Sequence, residues 1–262
     1  MGLTHQSCGS GVNKEVFRNG YQNTAQYNVA LLGNPNTGKS TLFNALTGLK
    51  QHTGNWPGKT VLRAEGKYSY QNLIYNLIDL PGTYSLLANS PEEQVAREYL
   101  CFGRPDAVVV VVDATCLERN LNLVLQVLEI TPRVVVCVNL MDEAARKSIF
   151  VDTDLLSQEL GVPAVPTVAR DGLGIDQLLG KVCDIARGAL QTKPYIIRYD
   201  HLIVSSVQQL ESPIKDLVGE RFNSRWLALR LLEKDETVIS ALWQWVGDHT
   251  PLNLKARGEI LT

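Results

Sequence analysis

The chain has 262 residues, 25 Lys plus Arg against 27 Asp plus Glu, and 45% hydrophobic residues. The near-balanced charge argues against broad electrostatic binding of nucleic acid, and the apolar content argues against wholesale disorder. The longest wholly apolar run, 107–112, stops at Asp113, far short of the about 20 residues a spanning helix needs, so the sequence reads as soluble.

Residues 1–26, rich in Gly, Asn, Gln and Ser, read as a mobile arm without a signal-peptide core. His5 and Cys8 on that arm are two potential metal ligands where a closed site usually needs three or four. The five cysteines, 8, 101, 116, 137 and 183, are odd in number and form no CxxC pair. That speaks against a disulfide framework and for a reducing compartment.

From Tyr27 the chain alternates strand and helix signals. A short apolar strand over 27–32 leads into a Gly-containing turn and then a helix over 41–49. Strands over 61–70 and 73–80 are joined at Gln71-Asn72. The β-branched runs 107–112 and 134–138 have the continuous character of parallel strands buried on both faces, with a crossover helix over 117–130 between them. A strand over 164–168 and a helix over 175–190 complete the pattern. This succession predicts an α/β fold, a doubly wound, mostly parallel sheet with ligands at the carboxyl ends of its strands. Beyond Lys193-Pro194 the signals become purely helical: Ile214, Leu217, Val218, Phe222, Trp226 and Leu229 recur at helical spacing. A small all-α domain over 191–262 is expected after a nucleotide-binding domain over 27–190, with Trp226, Trp243 and Trp245 as its core.

Gly33-Asn34-Pro35-Asn36-Thr37-Gly38-Lys39-Ser40 matches GxxxxGK[ST], after a strand and before the helix that Thr41 opens. Its glycines let successive N–H groups face phosphate oxygens, and the helix terminus adds positive potential. Lys39 is expected at the β- and γ-phosphates and the Ser40 hydroxyl on Mg²⁺. Asp79-Leu80-Pro81-Gly82 has the DxxG form: the carboxylate can hold Mg²⁺ through water, and the Gly82 N–H can sense the γ-phosphate. Asn139-Leu140-Met141-Asp142 has the NxxD form, and a carboxylate there accepts both N1–H and N2–H of guanine, a donor pair adenine lacks. In this order the motifs select GTP and GDP over adenine nucleotides.

These residues resemble the GTPase superfamily, with a P-loop NTPase fold of the small-GTPase type. Gly54-Asn55-Trp56-Pro57-Gly58-Lys59-Thr60 narrows the match: it looks like the first switch of the ferrous-iron transporter B (FeoB) family. The Gly-Asn-Pro-Asn opening at 33–36, the run 79–85 and the helical motif 225–233 are also similar to that family, so the resemblance covers about 27–246. It implies that Thr60 ligates Mg²⁺. It also implies that Asn36 binds K⁺ beside the phosphates with backbone carbonyls of Gly54 to Trp56, the cation standing in for a positive side chain at the transition state. Lys39, Asn36, Thr60 and Gly82 are then the catalytic set. The resemblance further implies the cytosolic portion of a ferrous-iron transporter at the cytoplasmic face of the bacterial inner membrane. Its partner would be the membrane-spanning portion of the same transporter, its helical part a GDP-dissociation inhibitor, and a homo-oligomer is left open.

The sequence departs from common GTPase patterns at three positions. Thr83 stands where many GTPases have a water-positioning glutamine, so slow turnover is expected. Leu140 replaces the lysine that covers the base, and Val168 replaces a serine in the last base-contacting loop, Thr167-Val168-Ala169-Arg170, where the Ala169 N–H is expected to meet guanine O6. The alternative is a soluble ribosome- or RNA-associated GTPase. Residues 191–262 carry nine Lys plus Arg and nine Asp plus Glu, too neutral for an RNA-binding appendage.

Overall fold

The computed structural model describes residues 26–48, 51–57 and 59–249. The expectations placed on the arm, on His5 and Cys8, on Gly58 and on the last 13 residues lie outside that range.

Seven strands form one sheet in the order β2-β3-β4-β1-β5-β6-β7. They are β1 (Tyr27–Gly33), β2 (Gln51–Asn55), β3 (Leu62–Tyr70), β4 (Leu73–Asp79), β5 (Ala107–Asp113), β6 (Val134–Asn139) and β7 (Ala164–Pro166). β1 runs parallel to both β4 and β5, and β5, β6 and β7 continue in parallel, whereas β2–β3 and β3–β4 are antiparallel hairpin pairs. The doubly wound, mostly parallel sheet is therefore as the pattern of the sequence predicts. β5 and β6 are buried almost end to end, because helices cover both faces of a parallel sheet. The helices of this part are α1 (Lys39–Thr47), α2 (Pro91–Glu98), α3 (Leu117–Ile130), α4 (Met141–Arg146), α5 (Thr153–Leu160) and α6 (Ile175–Ala186).

Strand order reverses direction about β1, and α1 starts at its carboxyl end. That switch point is where open α/β sheets bind ligands. β7 ends two residues earlier than expected and α6 four residues earlier. Arg187 and Gly188 close α6, the latter at φ 73°, which glycine adopts without Cβ strain. Of the cysteines, 101, 137 and 183 are buried and 116 is exposed; burial pushes the Cys137 thiol up to about 12, as befits an inert core position.

The chain separates into two compact units, one ending at Arg198 and the other starting at Tyr199. Residues 191–198 follow the first unit: Lys193 N–H donates to Gly161 O (3.1 Å) and Tyr195 N–H to Leu160 O (2.9 Å). The second unit consists of α7 (His201–Val218), α8 (Ser224–Leu232) and α9 (Glu236–His249). Its core holds Val207, Ile214, Val218, Trp226, Leu227, Leu229, Val238, Leu242 and Val246. Trp243 departs from the expected aromatic core and is 40% exposed. Val238, Leu242 and Val246, four apart, define the buried stripe of α9, and Trp243 falls off it. Trp245 instead packs edge-on against Phe222, centroids 4.9 Å apart.

Candidate nucleotide site

The turn between β1 and α1 is built to receive an anion. Pro35, Asn36, Ser40 and Thr41 are exposed around the start of α1, while Asn34 and Thr37 are buried beneath. α1 begins after Gly38 (φ 83°) with no side-chain cap, so its first-turn N–H groups point where a phosphate oxygen would accept them. The Thr37 hydroxyl donates to Asn34 O at 2.9 Å and ties the loop to itself. Gly33 has no room for a side chain: a Cβ would lie 2.6 Å from Val111 O. Asn36 takes a left-handed φ of 67° at the loop's crown, a conformation asparagine tolerates well.

Lys39 Nζ forms an ion pair with Asp79 Oδ1 at the end of β4. Burial pushes the Asp79 carboxyl above its ordinary value, and the charge and hydrogen bond of Lys39 offset part of that. The DxxG turn lies over the phosphate loop: Thr83 N–H donates to Gly33 O at 3.2 Å, and a Cβ on Gly82 would sit 3.7 Å from Pro35. The Thr83 side chain is buried and its hydroxyl donates to Ser85 O at 2.8 Å, so position 83 directs no polar group outward.

Asn139 links three loops that are far apart in sequence. Its Nδ2 donates to Thr37 O at 2.9 Å, and its Oδ1 accepts from Ala169 N–H at 3.0 Å and from the Thr167 hydroxyl at 3.2 Å. The Ala169 N–H, expected at guanine O6, is thus directed to Asn139. Asp142 Oδ2 accepts from Arg146 at 2.7 Å and from Arg170 at 3.0 Å. Partial desolvation opposes ionisation of Asp142, but the hydrogen bond from Arg146, a backbone hydrogen bond and the charge of Arg170 outweigh it and hold the carboxyl below its usual range. No nucleotide motif points to Arg146, although its i,i+4 spacing from Asp142 is a recognisable signal. Leu140, half-buried at φ 63°, starts the turn before α4, and Val168 is buried, its N–H donating to Leu173 O at 3.1 Å.

The segment that resembles a first switch is partly a strand. Gly54 and Asn55 pair with Arg63 and Leu62 in the β2–β3 ladder. Trp56 is only 2% exposed; its N–H donates to Val61 O and its carbonyl accepts from Lys59 N–H at 3.0 Å. Pro57 and Thr60 are exposed in the connecting turn. The side-chain contacts of this segment run to β3 and to the end of α2: Arg63 lies over the Trp56 ring, and Lys59 reaches Glu98.

Sheet, phosphate loop, DxxG turn and NxxD strand end together define a P-loop domain of the small-GTPase type. Residues 27–182 match the family model for ferrous iron transport protein B, and residues 199–256 match that for the FeoB cytosolic helical domain. The chain belongs to the ferrous iron transport protein B family. It is 40% identical over 211 residues to the Fe(2+) transporter FeoB of Escherichia coli K12, covering 79% of this chain and 27% of that protein. A Porphyromonas gingivalis Fe(2+) transport protein A/Fe(2+) transporter FeoB fusion protein is 41% identical over 212 residues, 79% of this chain and 25% of its own. The chain thus spans about a quarter of the length of these relatives. The cytosolic domain of the T. maritima FeoB iron transporter in a GDP form superposes with TM-score 0.76 at 38% identity, over 85% of this chain and 87% of that one. Its GMPPNP form gives TM-score 0.75 at 36% identity, over 84% and 86%. No described helix is long and apolar enough to cross a membrane.

Proposed function

We propose that this chain is the GTP-hydrolysing cytosolic head of a bacterial ferrous-iron transporter, acting at the cytoplasmic face of the inner membrane and coupled to a membrane-spanning portion of the same protein. The observation that carries the reading is Asn139, which joins the phosphate loop to the two loops expected to hold guanine. GDP- and GMPPNP-bound forms among the similar T. maritima structures support it.

The residues fit Mg²⁺ and a nucleotide: an uncapped helix start, a hydroxyl at Ser40 in the first turn, and a carboxylate at Asp79. Ser40 and Thr60 would ligate Mg²⁺ directly and Asp79 through water. Mg²⁺ supplies charge neutralisation across the β- and γ-phosphates. Lys39 exchanges its Asp79 contact for phosphate oxygens, and Gly82 presents its N–H to the γ-phosphate. Asp142 accepts from the guanine edge, with Leu140 against the purine face and Val168, Ala169 and Arg170 on the loop behind it. K⁺ would be held by Asn36 with the carbonyls of Gly54 to Trp56, and the Trp56 carbonyl, which here accepts from Lys59 N–H, would have to exchange that bond for the ion. The inward-turned Thr83 hydroxyl leaves the developing charge to the cation and backbone donors. Phosphate release in KCl is expected to exceed that in NaCl by at least about tenfold, below the 10³–10⁵ an arginine finger gives. Equal, near-zero rates in both salts would defeat the potassium-assisted reading.

The nucleotide-binding part is assigned to 27–198, eight residues longer than the sequence pattern suggests, and the helical part, from Tyr199 onward, is assigned the role of restraining GDP release. Contacts favouring the GDP-bound switch arrangement raise GDP affinity by the same coupling free energy. The RNA-associated alternative draws no support from the balanced charge of the helical segment. Val168→Ser should slow release of fluorescent GDP in stopped flow, because a hydroxyl replaces an apolar group in the base loop; an unchanged off-rate would remove that role for position 168.

A further inference from the structure

Trp56 sits at the tip of a hairpin whose neighbours Asn55 and Pro57 are exposed, yet its own side chain is buried. An apolar side chain buried in so exposed a turn needs a receptor, and α2 provides it. The Tyr99 ring meets the Trp56 ring edge-on, centroids 5.4 Å apart and planes at 61°. The Arg63 guanidinium covers the same indole at 4.9 Å and is itself paired with buried Glu65. Beside it Lys59 Nζ lies 3.3 Å from Glu98 Oε1, with the two side chains only 23% and 14% exposed. Two consecutive residues, Glu98 at the end of α2 and Tyr99 at the start of the turn that continues it, therefore grip two residues of the first-switch segment, the second of them adjacent to Thr60.

The opposite end of α2 grips the second loop. Glu93 Oε1 accepts from the Ser85 hydroxyl at 2.8 Å and Oε2 from Asn89 N–H at 2.9 Å. Its own N–H donates to the Ser90 hydroxyl, so one glutamate both closes the helix start and ties down the segment after Gly82. In the last turn, buried Arg97, next to Glu98, donates to Leu86 O. At its far end α2 widens into a single π turn (Tyr99–Gly103), where Gly103 packs so close that a Cβ would lie 2.8 Å from the Tyr99 ring.

We infer that α2 is a clasp shared by both nucleotide-sensing loops, with Glu98 and Tyr99 acting as positioning residues for hydrolysis through Lys59 and Trp56. Neither residue touches nucleotide; they set where Thr60 and the Gly54 to Trp56 carbonyls stand while Glu93 sets the loop after Gly82. The hydrolytic consequence rests on the function proposed above, whereas the mechanical coupling does not.

The test uses Glu98→Gln, which keeps shape and removes charge, Tyr99→Leu, which removes the ring, and Tyr99→Phe, which restores it. Amide hydrogen exchange of the nucleotide-free chain is read first. Glu98→Gln and Tyr99→Leu are expected to accelerate exchange both in 52–62 and in 83–89, although the ion pair of Glu98 is with Lys59, in the former. Acceleration confined to 52–62 overturns the shared clasp. GTP turnover in KCl is read second: kcat is expected to fall about fivefold, the rate equivalent of a modest ion pair, with KM for GTP within about twofold. Tyr99→Phe, which keeps the ring against Trp56, should lie closer to wild type than Tyr99→Leu in both measurements. An unchanged kcat, or a fall matched by a rise in KM, overturns the positioning role. Should Tyr99→Leu fail to fold, Glu98→Gln decides alone. Should the wild type prove inactive in every salt, the function proposed above fails, and the exchange pattern still decides the coupling.

Discussion

Gly38→Ala is expected to abolish measurable GDP binding while leaving the sheet folded. Gly38 has φ 83°, and a Cβ there would lie 2.3 Å from Asn139 Nδ2. The left-handed backbone alone costs about 1–2 kcal/mol with a Cβ present. The clash costs more, because Asn139 cannot move without giving up Thr37 O, and its Oδ1 contacts with Ala169 N–H and Thr167 are at risk with it. Each buried group left without a partner costs about 1–3 kcal/mol. A total of about 3–6 kcal/mol against the binding-competent loop corresponds to roughly 10²–10⁴ in affinity. Gly48→Ala is the control: its φ is 61°, but nothing lies within 4 Å of the added Cβ. It should lose about 1 kcal/mol of stability and bind GDP within a few-fold of the parent. Titration calorimetry with far-UV circular dichroism separates the two effects. A Gly38→Ala chain that is folded and binds GDP within tenfold of the parent would show that the Asn139 bridge does not shape the site.

That bridge marks the limit of what the sequence discloses. The phosphate loop, Asp79, Gly82, Asn139 and Asp142 are recognisable because each stands at the end of an apolar run whose periodicity announces a strand. The parallel core is legible for the same reason: the valines of β5 and β6 belong to strands buried on both faces. The three partners of Asn139 are not legible, since Thr37 lies 102 residues away and Ala169 30 residues away. Only the strand order brings them together. β2 escapes notice because Gln51-His52-Thr53-Gly54-Asn55 is polar; it becomes a strand by pairing with β3 at the sheet edge, which is a tertiary effect. The burial of Trp56 is hidden by its Asn, Pro and Gly neighbours, which read as an exposed turn. α2, by contrast, was readable in principle. Ser90-Pro91-Glu92-Glu93 has the form of a capping box with proline at the first helical position; the Ser90 hydroxyl accepts from Glu93 N–H as that pattern predicts, while the Glu93 carboxylate reaches past Ser90 to Asn89 N–H.

The second large effect is expected from Asp142→Asn, which should exchange guanine for xanthine specificity. A carboxylate accepts from the N1–H and N2–H of guanine; the asparagine amide presents a donor to one of them and leaves a polar group facing another of its own kind. Sites built on such pairing reject the mismatched ligand by up to about 10⁴–10⁵. Asp142 lies at a partly solvated edge, so a loss of about 10³ in GDP affinity, some 4 kcal/mol, is expected. Xanthine carries a carbonyl where guanine has its amino group, so the new donor regains a partner and XDP should bind better than GDP. Folding should barely respond. Arg146 and Arg170, the cations that lose a partner, are 59% and 64% exposed, and ion pairs at that exposure are worth little to stability. Competition of GDP and XDP against a fluorescent nucleotide, with the thermal midpoint measured alongside, tests both halves. Loss of GDP without gain of XDP, at an unchanged midpoint, would mean that Asp142 acts on the loop through Arg146 and Arg170 rather than on the base.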